Sequence, residues 1–170
     1  QATSVFATIA NDGVRVTPTV VAGTTDASGN YIPAKDQKSK RVISASTAIE
    51  IRKMLESVVS VNGTAPTAAI PGYRVAGKTG TAMKYSANCA CYSGYTASFI
   101  GFAPADKPAY VVSVTIQDPK GIHWGGALGG PVFAKVMKFV LQAKHIEPSK
   151  SKLKPYPLTE AELKKSEKVQ

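Results

Sequence analysis

No run of about 18 apolar residues occurs in this sequence, which excludes a membrane-spanning helix within it. Cysteine and histidine are almost as scarce. Cys89 and Cys91 stand two residues apart, a spacing that strains a disulfide in an extended chain, so two free thiols and a strained bridge are both open. His123 and His145 fall in no zinc-binding spacing, and neither a metal site nor a cofactor is expected. Acidic residues are also few, 11 against 21 Lys and Arg, for a net charge of +10. That excess is spread along the chain, and no basic helix, RNP, zinc-finger or helix-turn-helix pattern accompanies it. It reads as a solvated surface compatible with an anionic cell envelope, and no nucleic-acid partner is expected. No internal repeat is present. Gln1 stands where an initiator methionine would, and Ala2 to Ala10 already has Val5, Phe6 and Ile9 on one helical face with no capping residue before it. A piece of a longer polypeptide is therefore expected.

What remains is 44% apolar and 19% charged over 170 residues, enough for one core. The first helix should stop at Asn11-Asp12-Gly13, followed by a short extended segment from Val14 to Val21. Thr24 to Lys40 reads as a polar loop with a hairpin turned at Ser28-Gly29-Asn30. Thr47-Ala-Ile-Glu50 has the form of a capping box for a second helix whose apolar face is Ile51, Leu55, Val58 and Val59 and which ends at Asn62-Gly63. Three strands follow, over Tyr73 to Ala82, Tyr95 to Ala103 and Ala109 to Gln117, the last two joined as an antiparallel hairpin by Pro104 to Pro108. A Gly-rich loop, Gly121 to Gly130, leads to a last helix with Pro131 near its first turn and a stripe of Val132, Phe133, Val136, Met137, Val140 and Leu141. Packing that stripe on the sheet gives an α/β (α+β type) fold, an antiparallel sheet flanked by helices. His123 and Trp124 read as loop-packing residues. Residues 1–147 form the domain, and 148–170 a Lys/Pro-rich tail with at most a short helix capped by Thr159 and Glu162.

The chemistry concentrates at Val75-Ala-Gly-Lys78-Thr79-Gly80-Thr81-Ala82. The segment from Gly72 to Thr79 fits the phosphate-loop pattern G-x-x-x-x-G-K-[ST], which requires a buried strand before it and a helix directly after. Prolines precede it and a polar Gly/Ser run follows, so the nucleotide reading fails on both flanks. As a strand, the segment offers an edge to an extended peptide, a cation at Lys78, hydroxyls at Thr79 and Thr81 for a carboxylate, and no obstruction at Gly80.

Lys78-Thr-Gly-Thr-Ala82, then Tyr95-Thr-Ala-Ser-Phe-Ile-Gly-Phe-Ala-Pro104, then Gly125-Gly through Gly130-Pro131-Val-Phe133 form three ordered blocks. Together they resemble the C-terminal part of the transpeptidase domain of class B penicillin-binding proteins, most of all the division type, from about Gln1 to Leu141. The resemblance implies an antiparallel sheet with helices on both faces and substrate along the Lys-Thr-Gly edge. It implies peptidoglycan stem peptides and β-lactams as ligands, D,D-transpeptidase chemistry through a serine acyl-enzyme, and anchorage at the extracytoplasmic face of the bacterial membrane. Lys78 would direct proton traffic, Thr79 and Thr81 would receive the carboxylate, and the Thr81 N–H would form half of an oxyanion hole.

The pattern departs from the family in two respects: the motifs expected before Lys-Thr-Gly, and the family's first two sheet strands, are missing. Ser-x-x-Lys and Ser-x-Asn should both precede Lys-Thr-Gly, yet Ser149-Lys-Ser-Lys152 and Ser151-Lys-Leu-Lys154 follow it. Ser60-Val-Asn62 ends a helix and Ser86-Ala-Asn88 comes after the motif; all four read as chance matches. The nucleophile is expected in an N-terminal remainder of the same protein, with cell-division or cell-wall synthesis proteins as further partners, and the fragment's sheet is expected to have an unsatisfied edge. A β-lactamase, a D,D-carboxypeptidase or a β-lactam sensor shares Lys-Thr-Gly, and a non-catalytic peptidoglycan- or partner-binding piece is the alternative of another class.

Overall fold

The computed structural model describes residues 1–34, 38–149 and 161. Helix α1, Ala2–Ala10, ends as its sequence requires, with Asp12 and Gly13 both at positive φ. Strand β1, Val14–Val16, is only three residues long and pairs antiparallel with β4, Ser39–Arg41. Between them β2, Gly23–Thr25, and β3, Tyr31–Pro33, form the expected hairpin. Its turn is organised by the Asp26 carboxylate, which accepts from the amides of Ser28 and Asn30 and from the Asn30 side chain.

Helix α2 spans Ala45–Ser57, and its cap is not Thr47. Ser44 occupies that position in extended geometry and its hydroxyl accepts from the Thr47 N–H, a better start because it precedes the first helical turn. The helix also stops earlier than expected, so Val58 and Val59 pack from the following turn, with Val59 buried. A short 3-10 helix covers Pro66–Ala68.

The main sheet has the order β5-β6-β7, all antiparallel: Ala76–Ser86, Cys91–Ala103 and Tyr110–Gln117. Strand β5 begins later than Tyr73 because Ile70-Pro71-Gly72-Tyr73 is a turn. Pro71 fixes φ, Gly72 takes φ +83°, and the Tyr73 N–H returns to the Ile70 carbonyl at 3.0 Å. Alternation along β6 divides the core. Phe99 and Ala103 face α3, Gly125–Ala143, and meet Phe133, Met137 and Leu141, with the Phe99 and Phe133 rings edge-on at 4.8 Å. Phe102 lies in the opposite layer, against Phe6 and Ile9 of α1 and Leu55 of α2. Helices thus cover both faces.

The run from Gly125 to Gly130, expected as loop, is the first part of α3, and Pro131 lies inside that helix. Glycine is a poor helix former, but here backbone proximity decides. A Cβ on Gly125 would strike the carbonyls of Ser98 and Gly80, one on Gly126 the carbonyl of Thr64, and one on Gly129 would lie 2.9 Å from Phe99 Cβ. The glycines let the helix end rest directly on the sheet. After α3, Tyr73 donates its hydroxyl to the Ile146 carbonyl, and Ser149 donates its N–H to the Gly72 carbonyl. The short helix assigned to Thr159 and Glu162, and Lys150 to Lys154, lie outside the described residues.

Candidate active site

The approach to β5 is held at several points. Arg74 forms a two-pronged pair with Glu56 of α2, Nη2 to Oε1 at 2.6 Å and Nε to Oε2 at 2.8 Å, both side chains being nearly excluded from water. Its backbone N–H donates to Ser149 Oγ, and its carbonyl accepts from the Ala105 N–H. Ser149 Oγ in turn donates to Asp106. These contacts place the strand before its candidate residues begin.

Strand β5 continues through Lys78 to Ser86, so no helix opens at the glycine-lysine step and the phosphate-loop geometry is absent there. Among the described residues β5 pairs only with β6 and is a sheet edge. Lys78 lies opposite Ile100, Thr79 opposite Phe99, Gly80 opposite Ser98 and Thr81 opposite Ala97. Alternation sends Thr79 and Thr81 to the face of α3, whereas Lys78 and Gly80 belong to the other face, so Lys78 and Thr81 do not project in parallel. The lysine nevertheless bends back. Its Nζ donates to the Thr79 carbonyl and to Thr79 Oγ1, each at 3.1 Å, and no carboxylate among the described residues pairs with it. Gly80 is required for space, since a Cβ there would sit 2.5 Å from Ser98 Oγ.

The first residue of α3 completes the arrangement. The Gly125 N–H donates to Thr81 Oγ1 at 3.1 Å, so the positive end of a 19-residue helix abuts that hydroxyl. A threonine hydroxyl that accepts in this way keeps its own proton for an incoming acceptor. Thr64 Oγ1 stands 3.3 Å from Thr79 Oγ1, and Thr67 Oγ1 donates to the Gly126 carbonyl, fastening the 64–68 segment to the same helix end. Lys78, Thr79, Thr81, Thr64 and one helix amide therefore form a cationic, hydroxyl-rich patch suited to a carboxylate. Sequence reasoning missed Thr64 and the Gly125 amide. The only signal for either was the glycine run, which marks a close backbone approach without naming the partner.

Beyond Thr81, Tyr95 stacks on His123 at 3.9 Å, with Trp124 tilted against the histidine at 4.7 Å and 62% exposed. His123 does pack in its loop, as expected, but Trp124 is largely in solvent. Cys89 and Cys91 are joined in a disulfide across the β5–β6 turn, which settles the choice left open by their spacing. Of the chance serine matches, Ser60 donates to the Ser57 carbonyl after α2, Ser86 ends β5, and Ser149 is engaged with Asp106.

A family profile described as the penicillin binding protein transpeptidase domain matches residues 1–138. The chain belongs to this family. It is 36% identical over 156 residues to the penicillin-binding protein PbpB of Mycobacterium tuberculosis, covering 86% of this chain and 23% of that protein. With the peptidoglycan D,D-transpeptidase FtsI of Escherichia coli it shares 38% identity over 146 residues, covering 80% of this chain and 25% of FtsI. A crystal structure of penicillin-binding protein 3 from Mycobacterium tuberculosis in complex with ampicillin superposes with a TM-score of 0.80 at 36% identity, covering 92% of this chain and 37% of that one. The chain thus spans about a quarter of the length of these curated relatives. The antiparallel sheet with helices on both faces is the architecture that the resemblance implied.

Proposed function

We propose that this chain forms the substrate-binding edge of a peptidoglycan D,D-transpeptidase, at the extracytoplasmic face of the bacterial cell membrane. The serine nucleophile, with its Ser-x-x-Lys and Ser-x-Asn motifs, comes from an N-terminal remainder of the same protein. The stem peptide lies along β5 with its terminal carboxylate on the hydroxyls of Thr79 and Thr81. The serine oxygen attacks the penultimate D-alanine carbonyl, the Thr81 N–H supports the developing oxyanion, and the terminal D-alanine departs with a proton. An amine of a second stem peptide then attacks the ester, forms the cross-link and releases the serine. Lys78 supplies positive potential and takes part in proton traffic, and a β-lactam enters the same site as an acylating mimic. Cell-division or cell-wall synthesis proteins are its partners in the cell.

The observation that carries this reading is the Gly125 N–H donated to Thr81 Oγ1, because it leaves the hydroxyl proton directed to an acceptor at a helix N-terminus. Thr81→Val keeps shape and amide and removes the hydroxyl. Acylation by a carboxylate-bearing β-lactam should slow by the equivalent of ~1–3 kcal/mol, the worth of a charge-assisted hydrogen bond. An analogue without the carboxylate should be nearly indifferent, and equal losses of kcat/KM for both would refute the assignment. A fluorescent penicillin should label the longer protein but not the isolated 170-residue chain, whose labelling would refute an external nucleophile.

A further inference from the structure

We propose that Tyr85 and Tyr92, at the end of the β5–β6 hairpin, form a subsite on which the aminosugar carrying the stem peptide stacks. The inference rests on the transpeptidase reading and deepens it, because that reading gives the substrate a direction. With the terminal carboxylate at Thr79 and Thr81 and the scissile carbonyl at the Thr81 N–H, the rest of the peptide runs along β5 toward Met83 and Tyr85. Tyr85 lies four residue steps along the strand from Thr81, a path of roughly 13 Å at ~3.3 Å per residue. An extended peptide of about four residues covers the same length. That is the part of a stem peptide between the attacked carbonyl and the lactyl ether of its sugar.

The two tyrosines are suited to what arrives there. Thr79, Thr81 and Met83 alternate along β5, and past a one-residue shift in the β6 partner between Met83 and Tyr85, Tyr92 lies directly across from Tyr85 in the ladder. Their rings meet edge to face at 5.7 Å, yet the residues are 57% and 65% exposed. A pyranose has an apolar face of axial C–H groups that matches an aromatic ring, and hydroxyl and acetamido edges that need polar partners. Tyrosine offers both a ring and a hydroxyl. A phenylalanine or leucine pair would suit a dry protein contact better.

The platform is also held in place. The Cys89–Cys91 bridge closes the turn that joins the two strands. On the opposite face Lys84 pairs with Asp118 at 2.5 Å, tying the hairpin to the end of β7. Rings ordered before the ligand arrives lose little freedom on binding it.

The test uses the intact transpeptidase and two substrates, a stem pentapeptide free of sugar and the same pentapeptide on its disaccharide. Wild type should show a higher kcat/KM for the disaccharide form. In Tyr85→Ala/Tyr92→Ala the ratio of the two should fall about three- to tenfold, through KM rather than kcat, as expected for one or two lost aromatic stacks. Tyr85→Phe/Tyr92→Phe should recover part of it. A ratio that does not change, in an enzyme still acylated by a fluorescent penicillin, overturns the sugar subsite and leaves the transpeptidase reading standing. A wild-type protein that penicillin fails to acylate overturns both.

Discussion

Replacing Gly129 with alanine sets two effects of opposite sign against each other. In an exposed helix interior the change would stabilise by about 1 kcal/mol, because alanine loses less backbone entropy. At this position the new Cβ would lie 2.9 Å from Phe99 Cβ and 3.0 Å from Phe99 N. Carbon atoms rest at about 3.5–4.0 Å, so α3 must lift from β6 by roughly 0.5–1 Å. Phe99 cannot yield instead, since it is fully buried in the central strand with Thr79 on one side and Val114 on the other. Overpacking of this kind costs about 1–3 kcal/mol, and an unyielding backbone neighbour places it toward the upper end. The net expectation is about 1–2 kcal/mol of destabilisation, a fall in Tm of about 2–8 °C in a domain of this size. Lifting the helix end also draws the Gly125 N–H from Thr81, so acylation by penicillin should slow as well. Thermal unfolding followed by circular dichroism, beside acylation kinetics, gives both readings. A Tm that rises with acylation intact would show that contact with the sheet does not dictate the glycine run.

Other expectations concern the supports of the site. Glu56→Ala should cost about 3 kcal/mol, while Glu56→Leu with Arg74→Leu should cost much less, because removing both charges strands neither. Simple additivity in a double-mutant cycle by denaturant unfolding would contradict this. In the outer hairpin, the Asn30 side chain and then the amides of Asn30 and Ser28 hold the Asp26 carboxyl below its ordinary value. A depressed folded value means the turn's stabilisation is complete above the unfolded pKa and is lost as pH falls through the folded one. In an NMR titration the amides of Ser28 and Asn30 should therefore shift together in the acid range, below the midpoint of an ordinary aspartate, and a midpoint at or above it would refute the capping role.

Much of this arrangement was legible because local chemistry and global fold agree. Asn11-Asp12-Gly13 had to end a helix, and β-branched alternation in Tyr110–Gln117 had to make a strand. That Lys78, Thr79, Gly80 and Thr81 lie on an edge strand, with no helix opening there, could be read from their flanks and the resemblance. The failures have a common cause. Gly125 to Gly130 reads as loop by propensity and is helix because the sheet leaves no room for side chains. Ser44 precedes a weaker-looking segment than Thr47, yet caps it. The pairing of Val14–Val16 with Ser39–Arg41 joins three-residue segments across a hairpin, too little pattern to detect. Thr64 reaches the site through a segment with no period at all.

The position of Arg74 has a consequence for when the site comes into being. Its partners lie 18 residues back at Glu56, 31 residues on at Ala105 and 75 residues on at Ser149. Contacts over such separations close large loops and form late in folding, after the helices and the β6–β7 hairpin have had time to assemble. The strand that carries Lys78 to Thr81 is thus anchored by nearly the last residues of the described fold. A nascent or truncated chain ending before Ser149 would leave the Arg74 amide without that acceptor, and the competence of the edge becomes a report that the chain has been made through Ser149.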